Sequence, residues 1–357
     1  MSNFRFVSLL VITTFLFTVG FFGINLNVSA ETLEFSLIDS FEIEEGTGTV
    51  AINTKTNLVY LTNTYSDTVS IFDGTTNEFL STFYVGRTPY GIGVNPETNM
   101  LYVAREHNDR LVVVDGATNE ITENLDVISP YDIAVNPKTN MIFVTSKEAS
   151  SVFIINGTTN KIDASISVDV PCGVTVNTDT NTIYITSEST NKLHVVDGKT
   201  NSLKTIIDVQ DRPRGVAVNQ ITNTVYVTNQ DSDTVSVIDG TTNNLLDIVT
   251  VGETPRRVVV NQENNMIYVS NQQSETVSVI DGSKNAVIDT IDVLEPFEMA
   301  IDQSQNKIYV TYFGTDTLSI LGGTVTAEDS NLSYYVIFGI VLAAIIVGVI
   351  VAKIRKR

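Results

Sequence analysis

Arginines and aromatic residues recur at one position of this 357-residue chain, directly after a proline. Guanidinium groups bind carboxylates through forked pairs of hydrogen bonds, and aromatic rings offer flat stacking surfaces. If the fold brings these side chains together, they predict a site for an anion or a sugar acid. The candidate ligand-binding residues are Tyr90, Tyr131, Arg212, Arg214, Arg256, Arg257 and Phe297.

The same arginines have a second interpretation. Asp211 and Glu253 lie close to them in the sequence, and salt bridges to these and neighbouring acids would neutralise the guanidinium groups. Cys172 also follows a proline, and it is the only cysteine, so no intrachain disulfide is predicted. We expect its thiol to be a small buried filler rather than a reactive group.

Other chemistry has little support in the sequence. His107 and His194 are the only histidines and have no third partner in the pattern, so no zinc site is predicted. Asp231 and Asp233 lack the spacing of an EF-hand calcium loop. No serine or cysteine triad, glycine-rich phosphate loop or haem-attachment motif is readable. We therefore predict no catalytic residue, no metal and no cofactor.

Charge is distributed unevenly along the chain. All 41 acidic residues lie between Glu31 and Asp329, whereas Arg5 and the four basic residues of 353–357 lie outside that segment. Of the 21 basic residues, 16 remain inside it, which gives the segment a net charge of −25. Such a surface repels phosphate backbones and argues against a nucleic-acid partner.

An internal repeat supplies the elements that would position the candidate site. A turn of the form Asn-x-x-x-Asn recurs every 41 or 42 residues, starting at Asn53, Asn95, Asn136, Asn177, Asn219, Asn261 and, with aspartate, Asp302. Each unit holds four short segments rich in Val, Ile and Tyr, separated by turns rich in Asn, Asp and Gly. In the fifth unit the predicted strands are 215–218, 224–228, 234–238 and 245–251.

A four-stranded unit of about 40–45 residues is the period of a propeller blade. We therefore predict an all-β, seven-bladed β-propeller with four-stranded blades. The seventh unit supplies only three strands and ends before Gly322, whereas residues 35–43 match the missing fourth strand. This early strand is expected to complete the last blade and close the ring. The candidate residues would then lie on the fourth-to-first-strand connections, at one mouth of the central channel.

A short element recurs at the end of the second strand, as Tyr60-Leu-Thr-Asn63, Tyr226-Val-Thr-Asn229 and Tyr268-Val-Ser-Asn271. Together with the Asn-Pro-x-Thr-Asn and Asp-Gly-Thr-Thr-Asn turns, it resembles the repeats of the YVTN family of β-propellers. The resemblance covers about residues 33–323 and implies seven blades. It also implies an extracellular setting, since such repeats are frequent in archaeal surface-layer proteins. Several units depart from the motif, among them Tyr102-Val-Ala-Arg105.

The two ends of the chain predict its location. Residues 1–30 have the pattern of a signal peptide with cleavage after Ala30, and an uncleaved N-terminal anchor is the alternative. Residues 334–352 carry no charge and are long enough to form a transmembrane helix. The basic tail 353–357 is expected to stay in the cytoplasm. The propeller would then occupy 31–323, outside the cell, with 324–333 as a linker.

These features predict a single-pass cell-membrane protein with an extracellular, non-enzymatic propeller that acts in binding, adhesion or a surface-layer-like envelope. The expected partner is a surface ligand such as an acidic glycan, or another envelope protein. Gly339 and Ala343 form a small-residue pair that would permit a helix-mediated homodimer. Asn156 and Asn331 begin candidate glycosylation sequons.

The alternative function is a propeller hydrolase or lyase, lactonase-like and with or without a metal, acting at the channel mouth. It predicts three or more convergent acids or histidines there, whereas the binding function predicts a rim of arginines, aromatic rings and amides.

Overall fold

The computed structural model describes residues 33–312 and 315–325, and in them the chain forms seven four-stranded antiparallel sheets. The first strands of successive sheets lie side by side, and the first strand of the seventh sheet contacts that of the first, so the sheets close into a ring. The all-β, seven-bladed propeller with four-stranded blades is therefore confirmed.

The strands are numbered in chain order. β1 is Leu33–Glu42. Blade 1 comprises β2 Thr47–Asn53, β3 Leu58–Asn63, β4 Thr68–Asp73 and β5 Phe79–Tyr84. Blade 2 comprises β6 Pro89–Asn95, β7 Met100–Arg105, β8 Arg110–Asp115 and β9 Glu120–Asp126, with a 3₁₀ turn at Glu106–Asn108. Blade 3 comprises β10 Pro130–Asn136, β11 Met141–Ser146, β12 Ser151–Asn156 and β13 Lys161–Ser167. Blade 4 comprises β14 Pro171–Asn177, β15 Thr182–Ser187, β16 Lys192–Asp197 and β17 Ser202–Asp208. Blade 5 comprises β18 Pro213–Asn219, β19 Thr224–Asn229, β20 Thr234–Asp239 and β21 Asn244–Thr250. Blade 6 comprises β22 Pro255–Asn261, β23 Met266–Asn271, β24 Thr276–Asp281 and β25 Ala286–Asp292. Blade 7 comprises β26 Pro296–Asp302, β27 Lys307–Tyr312 and β28 Thr317–Val325, and β1 is its fourth strand.

The repeated Asn-x-x-x-Asn turn links each blade to the next. In the turn after β18, Asn219 Oδ1 accepts hydrogen bonds from the backbone N–H groups of Ile221 and Thr222, which fixes a tight turn. Its Nδ2 donates to Asn265 Oδ1 of the following blade at 2.7 Å. Equivalent bonds of 2.6–2.8 Å join all the pairs from blade 1 to blade 7. Asn57 Nδ2 closes the series by donating to Asp302 Oδ2 at 3.1 Å.

The conformation of the last asparagine explains why that residue type recurs. The accepting asparagines have φ between +50° and +57°, a left-handed conformation that asparagine tolerates better than most residues. The first asparagine of the motif therefore supplies the donor, and the last supplies both the turn geometry and the acceptor.

The tyrosine of the repeated Tyr-Val-Thr-Asn element is buried between neighbouring blades. Tyr102, Tyr184 and their equivalents are fully buried. The hydroxyl of Tyr184 lies so close to Gly240 of the next blade that a Cβ at that glycine would sit 2.8 Å away. Burial raises the pKa of Tyr102 and of Tyr184 to about 12. The tyrosine of this element therefore packs one blade against the next, and it lies away from the channel mouth.

The N-terminal strand closes the ring as predicted. β1 runs antiparallel to β28, because Ile43 N donates to Asp316 O at 2.9 Å and Ser319 Oγ bonds Ser40 Oγ at 3.2 Å. Phe41 of β1 lies 5.9 Å, ring to ring, from Phe72 of blade 1. The prediction that the third strand of blade 7 ends before Gly322 is wrong, since β28 continues to Val325. Ile38 of β1 packs directly against Gly322, so pairing with β1 extends the strand.

Both ends of the described chain leave the ring on the same face. Gly322 of β28 pairs with Lys307 at the start of β27, next to the turn that follows β26. β1 is antiparallel to β28, so its first residues lie beside Val325. We call the face that carries the Asn-x-x-x-Asn turns the turn face, and the opposite face, with the fourth-to-first-strand connections, the mouth face. The two chain ends therefore emerge at the turn face.

Val170 occupies a backbone conformation that its side chain disfavours. It precedes Pro171 at φ +39°, and the equivalent residues before the other prolines also have positive φ, so the fold imposes this conformation. A β-branched side chain is the least compatible with it. We expect Val170→Asn to raise the free energy of unfolding by about 1 kcal/mol in urea denaturation. Glu295→Val, at the exposed equivalent position of blade 7, should lower it, and no change in either variant would contradict the strain.

Several predictions concern segments outside the described residues: the signal peptide 1–30 with Ala30, Asn331, the span 334–352 and the tail 353–357. Within the described ranges, no helix is long and apolar enough to cross a membrane.

Candidate functional site

A bulge at the start of each first strand creates the site. The pairing register shifts between the proline and the third residue after it, as between Pro130 and Ile133 in blade 3. Such bulges re-aim side chains. We call the residue after this proline, or after Thr47 in blade 1, the mouth position; in blades 1 to 7 it is Gly48, Tyr90, Tyr131, Cys172, Arg214, Arg256 and Phe297.

Aromatic rings form one side of the mouth. Tyr90 and Tyr131 stack with ring centroids 4.9 Å apart, and their hydroxyls lie 3.2 Å from each other. Phe297 of blade 7 meets Tyr90 of blade 2 edge-on at 6.5 Å. This contact spans blade 1, where Gly48 has no side chain to intervene.

A cluster of three cations around one carboxylate forms the opposite side. Glu188 Oε1 accepts a hydrogen bond from Arg212 Nε at 2.8 Å and lies 3.6 Å from Arg214 Nη1. Lys147 Nζ donates to Glu188 Oε2 at 3.0 Å. Burial alone would raise the pKa of Glu188, but the Arg212 hydrogen bond and the charges of Arg214 and Lys147 outweigh it and lower the pKa to about 2.

The arginine of this cluster also joins the aromatic side. Arg214 Nη2 donates to Tyr131 Oη at 3.2 Å, and its Nη1 donates to Gln230 Oε1 at 3.0 Å. Lys147 Nζ lies 4.3 Å from the centre of the Tyr131 ring, within cation–π range. The two sides of the mouth are therefore one connected network.

A buried ion pair crosses the channel beneath the mouth. Arg257 of blade 6 reaches Asp132 of blade 3, with Nη1–Oδ2 and Nη2–Oδ1 distances of 3.2 and 3.3 Å. Its Nε also lies 3.3 Å from Glu298 Oε2, in a geometry that makes no hydrogen bond. Burial raises the pKa of Glu298 even though Arg257 opposes that shift.

The ion pair between Arg257 and Asp132 closes the channel at the mouth. Between Tyr131, Cys172, Arg214 and Arg256 only about 10 Å³ is free, space for about one water. On the turn-face side of Arg257 the channel opens to about 340 Å³, lined by Val, Ala and Thr with glutamines at its lower end. A ligand at the mouth would therefore rest on a closed floor.

Arg256 differs from the other arginines of the site. Its guanidinium lies 3.9 Å from the centre of the Phe297 ring, and Nη1 donates to Gln272 Oε1 at 3.0 Å. Within the described residues it has no salt bridge, and its buried Nε has no hydrogen-bond partner. Arg256 is thus the cation of the mouth that a ligand carboxylate could neutralise.

The structure shows where the candidate site residues lie and which acids pair with them. It brings Tyr90, Tyr131, Arg214, Arg256 and Phe297 together, places Arg257 beneath them and leaves Arg212 on the rim. Salt bridges do hold Arg212, Arg214 and Arg257. The acids that form them are Glu188, Asp132 and Glu298, with Asp231 3.5 Å from Arg212, rather than Asp211 or Glu253.

Four residues of the network escaped sequence reasoning: Lys147, Asp132, Glu188 and Glu298. Two of them had a signal. The residue after the mouth position is glycine at Gly91, Gly173 and Gly215, so the charges at Asp132, Arg257 and Glu298 break a pattern of small residues. Lys147 and Glu188 lie in second-to-third-strand loops, where charged residues are common and nothing marks them out.

The other candidate groups occupy structural positions. Among the described residues, no group of three or more His, Cys, Asp or Glu is placed to hold a metal. His194 is buried in β16, and burial lowers its pKa. Burial raises the pKa of the Cys172 thiol despite the nearby charges of Arg214 and Lys147. Asp233 Oδ1 accepts a hydrogen bond from Thr254 N at 2.9 Å.

Asn156 ends β12 and shapes the turn that follows. Its Oδ1 accepts from Thr158 N at 2.9 Å, and its Nδ2 donates to Asp163 Oδ2 at 3.1 Å. Attachment of a glycan to this nitrogen would have to replace the bond to Asp163.

No protein-family model matches the chain, and no curated protein matches its sequence.

Proposed function

We propose that this chain is a membrane-anchored, extracellular propeller of the YVTN type that binds a carboxylate-bearing ligand at its channel mouth without catalysis. The ligand class is an acidic glycan or an acidic segment of another envelope protein. Arg256 carries the proposal, because it is a half-buried cation stacked on Phe297, without a carboxylate partner among the described residues. Its Nη2 has no hydrogen-bond partner among the described residues and is not buried as Nε is, so Nη2 is the nitrogen that a ligand carboxylate would contact.

The charge balance of the mouth supports an anionic ligand. At the mouth itself the cations are Lys147, Arg214, Arg256 and Arg257, and the acids are Asp132, Glu188 and Glu298; on the rim, Arg212 lies with Asp211 and Asp231. Cations outnumber acids by one at the mouth, whereas the segment from Glu31 to Asp329 is strongly acidic. A local positive potential on an acidic surface directs an anion to that place.

The exit of the chain from the ring supports a binding role at the cell surface. β28 ends at Val325 on the turn face, and residues 326–333 reach about 28 Å at full extension before the predicted span begins. An anchor there would hold the turn face towards the membrane. The mouth face would then point outward, where a surface ligand can reach Arg256.

The mouth does contain three acids, the number that the hydrolase or lyase alternative predicts. Each of them faces an arginine, and Arg257 fills the space between Asp132 and Glu298. This pairing favours a binding site over an acid–base pair.

We expect Arg256→Gln to weaken binding of a uronic-acid oligosaccharide to the full chain by about tenfold, because one charge-assisted hydrogen bond is lost. Arg87→Gln, at an exposed arginine on the same face, is the control and should bind as the parent does. Isothermal titration against a uronic-acid panel and its neutral counterparts measures both. Equal affinity of Arg256→Gln and the parent for every acidic oligosaccharide would end the proposal.

A further inference from the structure

A second, open cavity lies on the mouth face where one blade lacks its mouth side chain. Blade 1 has Gly48 at the mouth position, whereas blades 2 and 7 on either side have Tyr90 and Phe297. The gap above blade 1 is a cavity of about 330 Å³. That volume is at the lower end of the range for small-molecule sites.

Aromatic rings and hydroxyl groups form the walls of this cavity. Tyr90 and Phe297 line its inner side, and Tyr65 of the β3–β4 loop stands at its outer side with 74% of its surface exposed. Thr88 also lines the cavity, but its Oγ1 is buried and does not face a ligand there. The walls therefore offer mainly aromatic stacking surfaces.

Most titratable groups of the cavity are acids. Glu45, Glu106 and Asp316 line it together with His107, and no lysine or arginine is among its described lining residues. Asp316 Oδ1 accepts a hydrogen bond from Gly46 N at 2.8 Å, whereas the carboxylates of Glu45 and Glu106 have no ion pair within the described ranges. Glu45 and Glu106 thus line an aromatic-walled cavity, and neither carboxylate has an ion pair within the described ranges.

We propose that this cavity binds a small organic ammonium compound. The cation would lie against the faces of Tyr65 and Tyr90, which attract positive charge through the ring quadrupole, with Glu45 and Glu106 as counter-charges. The volume admits an ammonium group on a small body, such as an amino sugar, a choline head or the end of a polyamine.

The cavity is separate from the proposed carboxylate site. Arg256 does not line it, and the two places carry opposite charge. Phe297 borders both, so occupation of one could influence the other, but neither proposal depends on the other.

The test uses the full chain with four probes: glucosamine, choline and spermidine as cations, and glucose as a neutral molecule. We expect at least one cation to bind about tenfold more tightly than glucose, and the probe that does so to identify the source of the ammonium group. Glu106→Gln and Tyr65→Ala should each weaken that binding severalfold. Glu120→Gln, on the outer strand β9, is the matched control.

Both key side chains lie at the surface, so these variants should fold, and their melting temperatures verify it. Glu106→Gln should leave uronic-acid binding unchanged, which separates this site from the carboxylate site. Equal binding of glucose and all three cations would overturn the proposal, as would unchanged ammonium affinity in folded Glu106→Gln and Tyr65→Ala.

Discussion

Replacement of Glu188 by glutamine is expected to lower the free energy of unfolding by about 3 kcal/mol at pH 7. The carboxylate is largely buried and is held by Arg212, Arg214 and Lys147, which lower its pKa from 4.5 to about 2. A difference of this size between folded and unfolded pKa corresponds to about 3 kcal/mol. Glutamine keeps the shape but leaves three cations without their counter-charge.

The pH dependence gives the prediction its sharpest test. Between pH 4.5 and about 2 the unfolded chain binds a proton at Glu188 that the folded chain does not. The stabilisation is therefore complete above pH 4.5 and is lost as the pH falls towards 2. The stability gap between the parent and Glu188→Gln should narrow over this window in denaturant titrations.

Glu97→Gln is the matched control for Glu188→Gln. Glu97 also pairs with a lysine, Lys55, but both side chains are 53% exposed. Exposed pairs contribute about 0–1 kcal/mol. A Glu188→Gln variant as stable as Glu97→Gln, or a gap that does not change with pH, would show that the cation cluster does not hold the mouth together.

The repeat made the fold predictable because the same pattern of strands and turns occurs in all seven units. In blade 5 the predicted strand 234–238 and the observed β20 differ by one residue, since Asp239 starts the turn and also ends the strand. The closing strand was predictable from the count of strands in the last unit. The extension of β28 past Gly322 was not predictable from the sequence. The residues after Gly322 pair with β1, which lies almost 300 residues earlier in the chain.

The position of the site was predictable from the sequence, but the salt bridges between its residues were not. Alignment of the units places every mouth residue on one face of the propeller. The arginines and the aromatic side chains therefore lie close together. Arg257 and Asp132 are 125 residues apart, and only the diameter of the channel decides that their side chains reach each other. Gly48 was overlooked as a signal because an absent side chain carries no chemistry, although its absence creates a cavity.

Deletion of residues 33–45 is expected to have the largest effect of any change proposed here. It removes β1 and leaves β28 with an unpaired edge, so blade 7 loses its fourth strand. It also removes Phe41 and Ile43 from the cluster that joins blade 7 to blade 1. Phe41 and Ile43 are only partly buried, but their loss adds to the loss of the whole strand pairing with β28. We therefore expect the truncated ring to melt at least about 10 °C lower, or to associate through its open edge.

A strand-transfer variant separates ring closure from simple loss of side chains. Gly322 is at the position of Asp239, the first residue of the Asp-Gly-Thr-Thr-Asn turn that joins the third and fourth strands in blade 5, because Lys307 pairs with Gly322 as Thr224 pairs with Asp239. β1 starts beside the end of β28. An Asp-Gly-Thr-Thr-Asn turn and a copy of residues 34–45, inserted after β28 in the deletion variant, could therefore supply the missing strand from the C-terminal side. We expect this variant to regain most of the lost melting temperature. If the deletion alone leaves the melting temperature unchanged, β1 does not close the ring; if the transfer fails to restore it, the order of the strands along the chain matters to closure as well as their pairing.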